Sequence, residues 1–316
     1  MGDVLRLPGV AQGTPGEGVH QRSPAPVGDR QGPLVARHEA LDEVRVGDRL
    51  RLRVPPGQRS CRHDHDSSRW GAIRFYGGEE RAKVVETAVA AVGGSRVMPG
   101  VAAYGSAEAR RWAEQARDAG CRAVMLLPPN AYRADERSVL AHYAAVAEAG
   151  VPVVAYNNPV DTKVDLVPEL LAKLHAEGFV HAVKEFSGDV RRAYRIAELA
   201  PELDLLAGAD DVLLELAVAG AKGWVAGYPN ALPAASVRLY RAALAGDLDT
   251  AGRLYRRLHP LLRWDSRVEF VQAIKLSMDV VGRHGGPVRP PRVPLLPEQE
   301  AAVRTATEEA VAAGLA

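Results

Sequence analysis

The sequence predicts an α/β fold, a (β/α)8 barrel of the TIM type with a C-terminal helical extension. Three observations carry that expectation. From about Glu79 onward, short apolar runs alternate with amphipathic helical stretches, at a repeat of roughly 25 residues. No Gly-x-Gly-x-x-Gly turn follows any of the runs, and polar residues close several of them, which favours the barrel over a doubly wound open sheet. After Asn230 the alternation stops and helical stretches alone follow.

Residues 1–78 stand outside the pattern. They hold twelve arginines and no lysine, many glycines and prolines, and only fragments of strand-like alternation such as "DRLRLRV" and "AIRFY". Two readings stay open for them. They form a disordered or divergent N-terminal segment, or they are translated out of frame in place of the barrel's first two strands, which are not recognisable in this sequence. Residues 79–230 read as the barrel. Its strands are expected at Arg96 to Val101, Ala123 to Leu127, Val151 to Tyr156, Val180 to Lys184, Leu203 to Ala207 and Gly223 to Ala226. Helical stretches such as "SAEARRWAEQARDAG", "SVLAHYAAVAEAG" and "LVPELLAKLHAEG" lie between them and end in glycine, a residue that stops helices well. Residues 231–316 read as a helical extension packed on the barrel.

Composition excludes several classes of function. The 316 residues are 47% hydrophobic and 25% charged, enough for a large core. A net charge of +1, with basic residues spread along the chain, gives no reason to expect nucleic acid or an anionic membrane as partner. Cys61 and Cys121 cannot build a disulfide framework and lie in no Cys-x-x-Cys pair. The first thirty residues lack the apolar core of a signal peptide, and no apolar run is long enough to span a membrane. A cytoplasmic location is expected. The "CRHDHD" run at residues 61–66 matches no zinc spacing, and no metal is expected there.

The chemistry centres on "VHAVKEFSGD", residues 180–189, where a lysine ends an apolar run. At the C-terminal end of a barrel strand, Lys184 points into a pocket. There its amine can attack a ketone carbonyl and form a Schiff base. The blander alternative is a structural lysine paired with Glu185 or a neighbouring carboxylate. One strand earlier, "VVAYNNP" places Tyr156 at an equivalent end, followed by Asn157 and then by Pro159, which stops regular structure. A tyrosine on the neighbouring strand end can pass protons to and from the reacting carbon. Taken alone, it is a packing residue with a hydrogen-bonded hydroxyl.

The "YNNP" run, Lys184 of "VKEFSGD" 28 residues after Tyr156, then "GADD" and "GWVAGYPN", resemble the dihydrodipicolinate synthase and N-acetylneuraminate lyase family of class I aldolases, over about Glu79 to Ala301. The resemblance implies a (β/α)8 barrel with a C-terminal helical extension, assembled as a homo-oligomer, commonly a tetramer of tight dimers. It implies Lys184 as the Schiff-base lysine for pyruvate or another small 2-oxo acid and Tyr156 as the proton-transferring phenol, with no cofactor. Gly208 and Val225 match positions that line the keto-acid pocket.

The departures from the family pattern are specific. The family's Gly-[Ser/Thr]-Thr-Gly-Glu loop, which holds the substrate carboxylate, has no match in residues 1–78. Where the synthase carries a tyrosine that reaches the partner's site, "LLPPNAY" aligns Ala131, with Tyr132 one step on. Where it places an arginine two residues after its Tyr-Asn-x-Pro run, this chain has Asp161, which would repel the carboxylate of an aspartate semialdehyde. The expected activity is therefore a Schiff-base lyase, aldolase or deaminating dehydratase on a 2-oxo acid other than the lysine-biosynthetic synthase. The C-terminal stretch from Arg263 to Leu295 resembles members acting on hydroxyproline-derived or sugar-derived 2-oxo acids. Lys275 within it reads as a solvated or pairing residue on an amphipathic helix. The alternatives are a non-catalytic, degenerate or frame-damaged relative, marked by the missing carboxylate loop, and a barrel enzyme that uses Lys184 only as a charge for phosphate, which no Gly-rich loop supports.

Overall fold

The computed structural model describes residues 77–316. The expectations for the N-terminal segment up to Tyr76, including the "CRHDHD" run, lie outside the described residues. Helix α1 (Gly78–Val92) opens with Glu79 and Glu80 in its first turn, where carboxylates favour the positive end of the helix dipole. It is anchored by Arg81, which is buried, donates to the Gly100 carbonyl and lies 4.9 Å from the Trp112 ring centre. Desolvation there pushes the guanidinium down to about 10. Helix α2 (Ser106–Asp118) follows.

Four βα units come next. They comprise β1 (Val124–Leu126) with α3 (Glu136–Ala147), and β2 (Val153–Asn157) with the short α4 (Pro159–Thr162) and α5 (Pro168–Ala176). Then come β3 (Ala182–Glu185) with α6 (Arg191–Leu199), and β4 (Asp204–Ala207) with α7 (Leu213–Val218). The last strand is β5 (Gly223–Trp224). All five strands are parallel in one sheet, in the order β1-β2-β3-β4-β5. Asp135 caps α3 by accepting from the Ser138 amide at 2.8 Å. Gly150 and Gly178 turn the chain out of α3 and α5 at φ of 73° and 74°, a conformation glycine adopts without strain.

The strand expected at Arg96 to Val101 shrinks to a single parallel bridge, Gly100 to Met125. Arg96 instead closes a 3-10 turn over Gly94–Arg96, and Pro99 has no N–H to extend the ladder. The other five expected strands are present, with boundaries shifted by at most two residues.

Both faces of the sheet are buried, and by different partners. Val153, Ala155, Val183, Leu205 and Ala207 pack with the helices, among residues such as Ala113, Leu171 and Ile196. On the opposite face Met125, Leu127 and Tyr156 form one small cluster and Val154, Ala182 and Leu206 another, both backed by Met98 and Val225. A parallel sheet with helices outside and a side-chain-filled interior is the wall of an α/β barrel.

From Pro233 onward the chain is helical: α8 (Pro233–Leu244), α9 (Leu248–Leu262), α10 (Phe270–Val280) and α11 (Pro297–Ala312). Proline at the first position of α8 and α11 sits where an N–H would find no intrahelical acceptor. A hydroxyl pair, Ser277 and Thr307 at 2.9 Å, joins α10 to α11, and Arg289 grips both carboxylate oxygens of Glu80 on α1. Of the two readings of Lys275, solvated or pairing, the structure excludes the solvated one. Lys275 is 5% exposed and donates to the Gly285 carbonyl at 2.7 Å, because its face of α10 packs inward. No helix among the described residues is long and apolar enough to cross a membrane.

Candidate active site

Parallel pairing sets Tyr156 of β2 directly beside Lys184 of β3, and Lys184 beside Leu206 of β4. Since alternate residues of a strand face opposite sides, Tyr156 and Lys184 share the interior face while Asn157 and Glu185 share the outer one. Lys184 is 5% exposed and Tyr156 is 6% exposed. The Lys184 Nζ lies 4.3 Å from the Tyr156 ring centre and 5.6 Å from that of Phe186. The two rings meet edge to face at 6.1 Å. The amine is thus held between two aromatic side chains at the C-terminal end of the strands, where barrel sites form.

Glu185 proves to be engaged elsewhere than with Lys184 in a structural pair. Its Oε2 accepts from Asn157 Nδ2 at 2.9 Å and its Oε1 accepts from the Ser187 amide at 2.6 Å, on the far side of the sheet. Burial pushes this carboxyl above its ordinary range, against the lowering effect of those bonds. Asn157 is fixed as well, since its Oδ1 accepts from the Leu166 amide at 3.0 Å. This outer pair braces the ends of β2 and β3 from behind, so Tyr156 and Lys184 keep their register.

Gly208 follows β4 and donates its N–H to the Glu185 carbonyl at 2.9 Å. A Cβ at this position would stand 2.4 Å from that carbonyl oxygen and 3.0 Å from Lys184 Cγ. The glycine therefore lets β4 close against the lysine's stem. Val225, after β5, bonds through its amide to Ala207 O at 2.9 Å and packs with both interior clusters. All four expected site residues, Lys184, Tyr156, Gly208 and Val225, thus belong to one interior region. The motifs "GADD" and "GWVAGYPN" meet through a fully buried carboxylate. Asp210 accepts from Trp224 Nε1 and from the Gly227 and Tyr228 amides, each at 3.1 Å. That tie orders the loop after β5, and its role is structural.

Sequence reasoning missed two residues. Phe186 was legible, because it lies two positions after Lys184 and so on the same face of an extended chain. Asn158 was not. It is buried, and its Nδ2 donates to the Tyr156 hydroxyl oxygen at 3.4 Å and to Asp161 Oδ2 at 3.1 Å. Ala131 and Tyr132 lie on the turn after β1, and Tyr132 is exposed. No group of three or more histidine, cysteine, aspartate or glutamate side chains that could hold a metal occurs among the described residues.

A buried lysine and a tyrosine on adjacent strand ends inside an α/β barrel define the class of lysine-dependent aldolases and lyases. The comparisons narrow this. The family model described as the dihydrodipicolinate synthetase family matches residues 73–310, and the chain belongs to that family of class I Schiff-base lyases. The 4-hydroxy-tetrahydrodipicolinate synthase of Methanothrix thermoacetophila is 34% identical over 229 residues, covering 72% of this chain and 77% of its own. A Pseudomonas aeruginosa structure assigned provisionally as a dihydrodipicolinate synthetase superposes with a TM-score of 0.71 at 33% identity, covering 77% of this chain and 84% of its own. YagE of Escherichia coli K12, a member of the same family solved in complex with pyruvate, gives a TM-score of 0.69 at 25% identity, over 76% and 83% of the two chains. The fold is accordingly that of a TIM barrel with a C-terminal helical part, although the sheet among the described residues is open.

Proposed function

We propose that this chain forms a Schiff base between Lys184 and pyruvate or another small 2-oxo acid, with Tyr156 as proton carrier. The observation that carries the reading is the Lys184 Nζ held 4.3 Å from the Tyr156 ring centre, both buried on the interior face. The neutral amine adds to the ketone carbon. Tyr156 gives a proton to the carbinolamine oxygen and recovers one from the nitrogen, so the ketone oxygen leaves as water with the amine's two hydrogens, and the imine nitrogen then takes up one proton from solvent. The protonated imine then draws electrons from the adjacent carbon, which permits C–C cleavage, condensation or loss of a substituent. Gly208 and Val225 line the keto-acid pocket in this reading. The pyruvate complex of YagE supports the choice of keto acid.

For the second substrate, the relatives' names point to the synthase reaction, whereas Asp161 points away from it. This carboxylate is exposed beside the site and bonded to Asn158, which follows Tyr156 closely in the turn after β2. It repels an anionic aldehyde, so we assign a second substrate or leaving group without a carboxylate at that end.

Borohydride reduction of the protein with pyruvate, read by intact mass and peptide mapping, tests the assignment. An adduct on Lys184, absent in Lys184→Ala, is expected. A folded protein that takes up no adduct would favour the non-catalytic alternative. Turnover of pyruvate with aspartate semialdehyde at rates typical of an efficient enzyme would reject the argument from Asp161.

A further inference from the structure

We infer that Asn158, clamped by Asp161, is a positioning residue for Tyr156: its amide nitrogen donates to the phenol oxygen and so commits the phenol's own proton to the reacting centre. The inference rests on the Schiff-base reading above and concerns how the phenol is prepared for it.

The orientation of the Asn158 amide is determined on both sides. Its Oδ1 accepts from the Asp161 N–H at 3.2 Å, and its Nδ2 donates to Asp161 Oδ2 at 3.1 Å. Turning the amide over would set its oxygen against a carboxylate and its NH2 group against an N–H, leaving both contacts repulsive. Nδ2 is therefore the atom that faces the Tyr156 hydroxyl, at 3.4 Å. An NH2 group can only donate, so the phenol oxygen must accept there and its hydrogen points elsewhere. Lys184 Nζ lies close to the same ring.

The consequence is chemical. When Tyr156 has passed its proton to the carbinolamine oxygen, its own oxygen is briefly anionic. Asn158 then donates to a charged acceptor, and such bonds are stronger than those to a neutral one. The interaction strengthens only during proton transfer, as an interaction that accelerates the step must. Asn158 is also the N-cap of α4, and a purely structural role has to be separated from this one.

Serine at this position separates them. In Asn158→Ser the introduced hydroxyl would still cap α4, but the shorter side chain cannot reach the phenol. The rate of Schiff-base formation with saturating pyruvate, measured by borohydride quench, should fall about tenfold in this variant, the low end for a bond to a charged group at this length. Half-saturation by pyruvate should stay unchanged, since the bond strengthens after binding. Asn158→Ala should lose the same factor in rate and also melt earlier, having lost the cap. An Asn158→Ser rate equal to wild type would overturn the inference while leaving Lys184 and Tyr156 in place. A rise in half-saturation with the maximal rate retained would likewise overturn it. Absence of any Lys184 adduct in the wild-type protein would overturn both this inference and the reading beneath it.

Discussion

Replacing Gly208 with alanine tests how tightly β4 closes on the lysine. The new Cβ would lie 2.4 Å from the Glu185 oxygen, 2.8 Å from the carbonyl carbon and 3.0 Å from Lys184 Cγ. The first two are backbone atoms of β3 and cannot swing aside as a side-chain tip does. Gly208 also donates to that carbonyl, so relief must stretch the bond that pairs the ends of β3 and β4. Overpacking of this kind costs about 1–3 kcal/mol, and at about 2–4 °C per kcal/mol the melting temperature should fall by roughly 4–8 °C for a mid-range cost. The lysine's stem has to yield by a few tenths of an ångström. With about a hundredfold loss per ångström of misplacement, the rate of pyruvate trapping should drop roughly four- to tenfold. Calorimetry and borohydride quench measure the two effects on one sample. A G208A protein that melts within about 1 °C of wild type and traps pyruvate at the wild-type rate would refute the steric account of this glycine.

Other perturbations address separate parts of the molecule. Tyr156→Phe removes the phenol and keeps its packing against Phe186, so Schiff-base formation should slow by about 10²- to 10⁴-fold with little change in urea stability; an unaffected rate would assign proton transfer to another group. His142 is buried on α3 with its Nδ1 2.8 Å from Ser106 Oγ, and burial pushes its pKa down to about 4. Between that value and its ordinary one the unfolded chain binds a proton that the folded one refuses, so this contribution to stability is present near neutral pH and lost on acidification. The stability advantage of wild type over His142→Gln in urea titrations should shrink by about 2–3 kcal/mol from pH 7 to about pH 4.5, and an advantage independent of pH would contradict the depressed value. Asp210→Ala strands Trp224 Nε1 and the Gly227 and Tyr228 amides without their shared acceptor. At about 1–3 kcal/mol for each unsatisfied buried donor, it should lose at least about 3 kcal/mol in urea unfolding; a loss below about 1 kcal/mol would mean that water or another group replaces the carboxylate.

The periodicity of the sequence determined the βα order from Ala123 onward, because strand and helix burial imprint different repeats on local residues, whereas the strand expected at Arg96 to Val101 kept a single bridge. The sequence likewise announced Lys184 and Tyr156, since each ends an apolar run and the motifs around them are local in the chain. Lys275 shows the limit of that reasoning. A lysine on an amphipathic helix is ordinarily a surface residue, and only the packing of α10 against the loop at Gly285 made it a buried donor. Glu185 shows it again, since adjacency to Lys184 in sequence suggests a pair while the alternation of a strand sends the two side chains to opposite faces. The close approach at Gly208 was decided by tertiary structure alone, while the Asn158 clamp is a local turn whose reach to the Tyr156 hydroxyl only the folded backbone shows. Both depend on distances of a few ångströms between separate segments or across a turn, and residue identity along a chain does not encode such distances until the segments are packed.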